Sequence, residues 1–376
     1  MLGFSSQVRH GVLCALLLAC AVPGIVLAAE DEDDENDDTP PPAAVSTKPS
    51  PGVLTTEYIY HDAPFLSCHA STIVQVKSGL VAAWFGGQRE GSNDVGIWVS
   101  LHDGKHWLPT FEVANGIQAD GTRHPCWNPV LFSTDGKTID LFYKVGPRPS
   151  SWWGMLKRST DGGRTWSMAT RLPDKILGPI KNKPVLLASH RLLCPSSSEH
   201  DGWKLHMEWT TDNGKTWKST PPLNDGREFA AIQPTILKHG NRLQLLCRTR
   251  QSHIAEAWSD DSGQTWTPLH STALPNNNSG LDAVTLSDGR SLLVYNHTTK
   301  GRHPLNVAVS KDGKTWQAAA VLERTPGEYS YPAVIESADG KVHITYTWNR
   351  LRIRHVVVDP QQLVLQEITD GQWPQK

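Results

Sequence analysis

Short runs in which apolar and polar residues alternate recur along this chain, and each ends in turn residues. Leu305-Asn-Val-Ala-Val309 and Ile254-Ala-Glu-Ala-Trp258 are two of them. A period of two buries one face of a strand. Directly after such runs comes an eight-residue box with Asp, Gly, Thr and Trp at fixed offsets. It spans Ser159 to Trp166, Thr210 to Trp217 and Ser259 to Trp266; Ser310 to Trp316 is one residue shorter and Ser100 to Trp107 is degenerate. In such a box Asp accepts bonds from its own turn, Gly supplies a positive φ, and Thr and Trp open the next strand. Each box therefore predicts a hairpin turn, and its role is read as structural. The closing tryptophans are 59, 51, 49 and 50 residues apart.

A second turn lies upstream of most boxes, at Asp135-Gly136, Gly240-Asn241, Asp288-Gly289 and Asp339-Gly340. The strands before it open at His69, Asn128, Lys183, Gln233, Asp282 and Tyr331, which makes six units of about four strands. A repeat of this length signals an array. Four-stranded units repeated radially predict an all-β fold, a six-bladed β-propeller with four-stranded blades and Asp-box turns. Thr55 to His61 has no blade of its own and is expected to complete the sixth. The first strand of each blade lines the channel, where Pro129, Pro184, Pro234 and Pro332 fit the start of an edge. The six opening residues then form a polar ring at the channel mouth, with Trp127 beside Asn128.

The N-terminus reads differently. An apolar run from Gly11 to Leu27 follows Arg9 and His10 and ends in small residues, so 1–29 is expected to be a signal peptide removed on export to the periplasm or outside the cell. Residues 30–52 are acidic and then Pro-rich, an expected solvated linker, and 53–376 form the propeller. No later apolar stretch has the length to anchor the chain in a membrane. A net charge of −2 gives no basic field for nucleic acid. Fifteen Trp against seven Phe suit a repeated structural task, sugar-stacking surfaces, or both. Four Cys remain after export: Cys68, Cys126, Cys194 and Cys247. Their spacing matches no zinc pattern, no metal or cofactor is indicated, and Cys68–Cys126 or Cys194–Cys247 could approach as pairs.

These boxes and their spacing resemble the sialidase (neuraminidase) superfamily of BNR-repeat propellers over roughly residues 55 to 360. The resemblance implies three arginines for a substrate carboxylate, an Asp acid/base, and a Tyr nucleophile assisted by a Glu. Arg89 and Asp94 match the first-blade loop, Arg248 or Arg250 the fourth-blade Arg, Arg302 the later Arg, and Tyr329 the Tyr of the Tyr-Ser that opens the sixth blade. Two positions depart from the pattern. Cys68-His69-Ala70 stands at the first-blade Arg-Ile-Pro, and Gln233 stands where the Tyr-activating Glu belongs. Residues at like positions in several blades also cluster: Arg123-His124, Trp127-Asn128, Asn296-His297 and Trp348-Asn-Arg350.

Three functions fit. The first is an exported sialidase-like exo-glycosidase acting on a terminal acidic sugar, with Asp94, Tyr329, Gln233 and His69 in the catalytic group. Arg89, Arg250, Arg302, Asn128, Lys183, Asp282, Tyr331, His124 and Trp127 would bind the glycan. The second is a polysaccharide lyase on uronate-containing glycans, with His69 or His124 and a Tyr moving protons while Arg or Lys183 neutralises the carboxylate. The third is a glycan-binding propeller without catalysis.

Overall fold

The structure, a computed structural model, describes residues 49–188 and 190–374. The expected signal peptide and residues 30–48 of the expected linker lie outside the described residues. Six antiparallel sheets form a six-bladed β-propeller. Blade one, for example, runs Ser67–Val76, Gly79–Gly87, Gly96–His102 and Phe111–Ala114 in spatial order. Blade six is closed as expected by an N-terminal strand: Val53–Tyr58 pairs with Arg352–Val358, the third strand of that blade. Blade five gains a short extra strand, Gln366–Glu367.

The boxes form the expected turns. Asp161 Oδ1 accepts the amides of Arg164 (3.1 Å) and Thr165 (2.9 Å), and Thr165 Oγ1 donates to Oδ2 at 2.6 Å. Those bonds, the Thr165 hydroxyl first, hold the Asp161 carboxyl at about 2. Trp166 Nε1 closes the turn on Gly163 O at 3.0 Å. Gly163 has φ +92, and an added Cβ would lie 2.9 Å from Leu101 of blade one. Gly263 likewise meets Leu193 of blade three. A box turn thus packs on the preceding blade, which explains why side-chain-free Gly is needed there.

The inner strands hold a feature the sequence pattern does not show. Register slips between His69 and Thr72, Trp127 and Val130, Ile232 and Thr235, and Ser330 and Ala333. The first residue inside each bulge is left-handed: Ala70 (φ 54), Asn128 (φ 38), Gln233 (φ 56) and Tyr331 (φ 51). The proline therefore sits inside the strand, at the unpaired bulge position, rather than at its start. The bulge also corrects the ring. The equivalent of Asn128, Gln233 and Tyr331 is Ala70, and His69 stands one residue earlier.

Blade three departs most. Its inner strand is only Val185–Leu186. The segment before it is held by Glu208, which accepts the amides of Leu177 (3.0 Å) and Gly178 (2.6 Å). Lys144 Nζ donates to Pro179 O and, at 3.3 Å, to Ile180 O. Lys181 and Asn182 then reach other blades. Lys181 Nζ donates to Leu281 O (3.1 Å) and to Pro332 O, while Asn182 Nδ2 donates to Gln233 O and Pro234 O at 3.1 Å each.

Cys68, Cys126, Cys194 and Cys247 are buried free thiols, so neither expected pair is bonded. Burial pushes Cys68 up to about 12.

Candidate active site

In an up-and-down blade, the start of the first strand and the loop between the second and third lie at the same end. The box turns, between the third and fourth strands, lie at the other. The candidate site is assembled from the first set. Tyr331 and Gln233 come from inner-strand bulges, where the left-handed backbone turns their side chains toward each other. Gln233 Nε2 donates to the Tyr331 hydroxyl at 3.1 Å, and Arg248 Nη1 donates to the same oxygen at 2.6 Å. The amide orientation is consistent, because Gln233 Oε1 faces Arg248 Nη1 at 3.5 Å.

Two more guanidiniums surround this pair. Arg302, between the second and third strands of blade five, lies 5.9 Å from the Tyr331 ring centroid and donates to Glu328 Oε1 at 2.8 Å. Arg350, in the matching loop of blade six, donates through Nε to the same oxygen at 2.6 Å and through Nη1 to Glu90. Burial opposes charge on Glu328, but Arg350 and Arg302 outweigh it and hold the carboxyl below its usual range. The Arg350 carbonyl accepts the Cys68 amide at 2.7 Å, which seats this loop beside the first-blade strand.

His69 completes the floor. Its ring lies 4.1 Å from that of Tyr331, and Nδ1 is 2.9 Å from Thr347 Oγ1. Burial, then the charges of Arg350, Arg302, Arg248 and Lys181, push it well below the usual histidine range, so it is a neutral packing partner. On the blade-three side stands half-buried Glu199, raised by its burial. Arg248 and Arg250 both overlie Trp203 nearby, at 4.9 and 4.3 Å.

Several expected residues fall elsewhere. Tyr329 is buried in the cluster of Leu305, Val307 and Tyr346, and its hydroxyl meets Thr325 Oγ1 at 3.0 Å; Tyr331 is the tyrosine at the site. Arg248, not Arg250, reaches that tyrosine. Asp94 Oδ2 accepts the Gln88 amide at 2.8 Å and so closes its own loop. Arg89 is exposed, while its neighbour Glu90 turns to Arg350. Lys183 pairs with Asp282 at 2.9 and 3.0 Å, and Asp282 also takes Thr235 Oγ1 (2.8 Å) and the Val334 amide (2.9 Å). That pair ties four inner segments together and has few lone pairs left for a ligand. Trp127 is buried, bonds Gly146 O at 2.8 Å and packs on Phe85 and Trp152. His124 packs edge-on to Trp153. Asn128 is buried in its bulge.

Arg350, Glu328, Glu90 and Glu199 were not singled out by motif. Only the recurrence of Arg after second strands, in Trp348-Asn-Arg350 as in Arg248, pointed toward one of them.

Known proteins share this frame. The chain is 24% identical over 249 residues to the anhydrosialidase of Macrobdella decora, covering 56% of this chain and 32% of that protein. It is 25% identical over 258 residues to a sialidase of Bacteroides fragilis (strain YCH46), covering 62% of this chain and 43% of the relative. The alignments thus span less than half of either relative. Among solved structures, the Hadza microbial sialidase Hz136 superposes with a TM-score of 0.70 at 19% identity, over 82% of this chain and 69% of that one. Residues 78–344 match the sequence profile of the BNR repeat-like domain. With that match over most of its length, the chain belongs to the BNR repeat-like family.

Proposed function

We propose that this protein is an exported glycoside hydrolase that releases a terminal acidic sugar from glycans. One observation carries the reading: Arg248 and Arg302 lie against Tyr331, and Arg350, from a third blade, joins Arg302 through their shared Glu328 carboxylate. A guanidinium keeps its charge at any working pH and matches a carboxylate in shape, so such a group suits an anionic sugar. Arg350 supplies the third cation that His69 does not, from the loop seated against the first-blade strand.

Tyr331 is the nucleophile in this reading. Its oxygen accepts bonds from a guanidinium and an amide. Donors aimed at an oxygen where negative charge develops stabilise that charge. Gln233 cannot take a proton, so the phenol proton passes to water, and Arg248 offsets the missing carboxylate base.

The test is incubation of the purified mature protein with a panel of acidic oligosaccharides, with products identified by mass and ultraviolet absorbance. The expected result is free acidic sugar and a chain shortened by one residue with water added across the bond. An unsaturated, ultraviolet-absorbing sugar would establish elimination instead. Binding without any product would reduce the protein to a glycan-binding module.

A further inference from the structure

We propose that Glu90, and not Asp94, is the acid/base residue of this site, held in the free protein as an internal carboxylate on Arg350 and released when the substrate's carboxylate takes that guanidinium. The inference rests on the hydrolase reading above and assigns a residue within it.

Asp94 is committed to its loop. Its carboxylate accepts the Gln88 amide at 2.8 Å, and its carbonyl takes Arg123 Nη2 at 2.7 Å. Glu90 lies four residues earlier in the same loop and turns the other way, onto Arg350. Arg350 bonds Glu328, Glu328 bonds Arg302, and Arg302 overlies Tyr331. Glu90 is thus one guanidinium from the group that would surround the sugar. The network is also open to a ligand: side chains of Glu90 and Arg350 are 33% and 24% exposed, and those of Glu328 and Arg302 31% and 23%.

Arg350 is the fixed member of the pair. Asn349 and Arg350 are both left-handed, at φ 49 and 55. The strained turn is held by the Glu328 amide on Asn349 Oδ1 (2.8 Å), the Asn349 amide on Glu328 O (2.7 Å) and the Cys68 amide on Arg350 O (2.7 Å). Two adjacent left-handed residues without glycine are costly and persist where the surroundings over-determine them. Here they aim the guanidinium at blade one. Arg350 keeps Glu328 through Nε while Nη1 changes partner, so a substrate carboxylate replaces Glu90 contact for contact.

Once displaced, Glu90 has negative neighbours on two sides. One is the bound carboxylate. The other is Glu199 of blade three, whose carboxyl is raised first by burial, with a further contribution from the charge of Glu90. A general acid acts from its protonated carboxyl. The Glu90 proton passes to the glycosidic oxygen as its bond to the anomeric carbon breaks and Tyr331 oxygen bonds that carbon; the phenol proton goes to water. In the second step, water attacks the anomeric carbon and gives a proton to the Glu90 carboxylate. Tyr331 leaves as phenolate and regains a proton from solvent.

The experiment compares Glu90→Gln and Asp94→Asn on two glycosides of N-acetylneuraminic acid, one with a 4-nitrophenol leaving group and one with lactose. A general acid matters most when the leaving group is poor. Glu90→Gln is expected to lower kcat/KM on the lactose glycoside by about a hundredfold or more and spare kcat/KM on the nitrophenyl glycoside, while kcat falls on both because the second step, in which Glu90 is the base, is common to them. Asp94→Asn should affect both glycosides alike. Equal loss of kcat/KM on both in Glu90→Gln, or leaving-group discrimination of kcat/KM in Asp94→Asn instead, overturns the assignment. Glu90→Ala adds a second reading: azide should restore its turnover of the nitrophenyl glycoside, and no restoration counts against a base at this position. If the wild type cleaves neither glycoside, the hydrolase reading fails and the acid/base role fails with it. Displacement is then decided by calorimetry with N-acetylneuraminic acid: tighter binding by Glu90→Gln supports it, unchanged or weaker binding refutes it.

Discussion

Tyr329 and Tyr331 differ by one bulge. In a regular strand, residues two apart share a face, so both tyrosines would point the same way. The register slip between Ser330 and Ala333, with Tyr331 at φ 51, separates them. Tyr329 stays in the core between blades, and Tyr331 turns to Arg248 and Gln233. Tyr331→Phe is therefore expected to lower turnover of an acidic glycoside about a thousandfold or more. Tyr329→Phe loses one hydrogen bond, worth about 1 kcal/mol of stability, and keeps its turnover. Steady-state kinetics beside thermal unfolding decide it, and loss of turnover in the Tyr329 variant alone would return the role to that residue. The bulge also limits what was legible here. In blades two, four and six a Pro marks it, and in blades four and six the residues before that Pro, Gln233 and Tyr331, meet each other. Blade one has Ser71 at that place, so no Pro marks the register there, and the equivalent position is Ala70 rather than His69. Lys183 and Asp282 fall at rim positions in the pattern, which does not show that two inner residues satisfy each other.

At the scale of elements, the boxes and the closing strand were legible because their causes are local. An Asp that collects three bonds from its own turn needs no distant partner to be recognised. The closure has a second device that no pattern announced. Glu57 on the N-terminal strand accepts His355 Nδ1 at 2.9 Å, and His355 Nε2 lies 2.9 Å from His343 Nδ1. A bond between two imidazole nitrogens needs one donor and one acceptor, so both rings cannot be protonated at once. Burial, then the charge of His355, lowers His343 from 6.5 to about 4. Glu57 is lowered too, chiefly by its bond to His355. Between pH 6.5 and 4 the unfolded chain binds a proton at His343 that the folded chain refuses, so stability falls as pH drops through that window. Glu57 acts in the same direction at the acid end. Nearby His102, itself lowered by burial, and Asp339 also face this group. The wild type should lose about 1–3 kcal/mol more than His343→Gln on going from pH 7 to 4.5. Equal losses in urea unfolding at the two pH values would show that the histidine pair does not govern the closure.

Across the whole molecule, blade three determines how the site is held. Its inner strand gives up all but two residues, and the freed segment sends Lys181 and Asn182 to the inner strands of blades four and six and to the segment leading into blade five. The carbonyls they bond belong to Gln233, Pro234, Leu281 and Pro332, so the backbone on which Gln233 and Tyr331 sit is fixed from across the ring. Lys181 Nζ also lies 5.7 Å from the Tyr331 ring centroid. Such an arrangement depends on residues far apart in the chain, and so it could not be read from a repeat. It has a measurable signature. Burial lowers Lys181 from 10.5 to about 7, with Asp282 opposing the shift and Lys183 and Arg248 adding to it. Between pH 7 and 10.5 the unfolded chain binds a proton at this lysine that the folded chain has released, so stability rises with pH across that window. Lys144, lowered to about 7 by burial, contributes in the same sense. Lys181→Met leaves two backbone carbonyls and the Asn182 side-chain oxygen without their donor, a cost of about 1–3 kcal/mol for each buried group, and it should remove about half of the alkaline rise while Lys144 preserves the rest. Urea unfolding of both proteins at pH 7 and 9.5 measures the difference. A variant whose stability rises as steeply as that of the wild type would show that the Lys181 ammonium is not lost inside the fold, and that the pin across the channel stays charged.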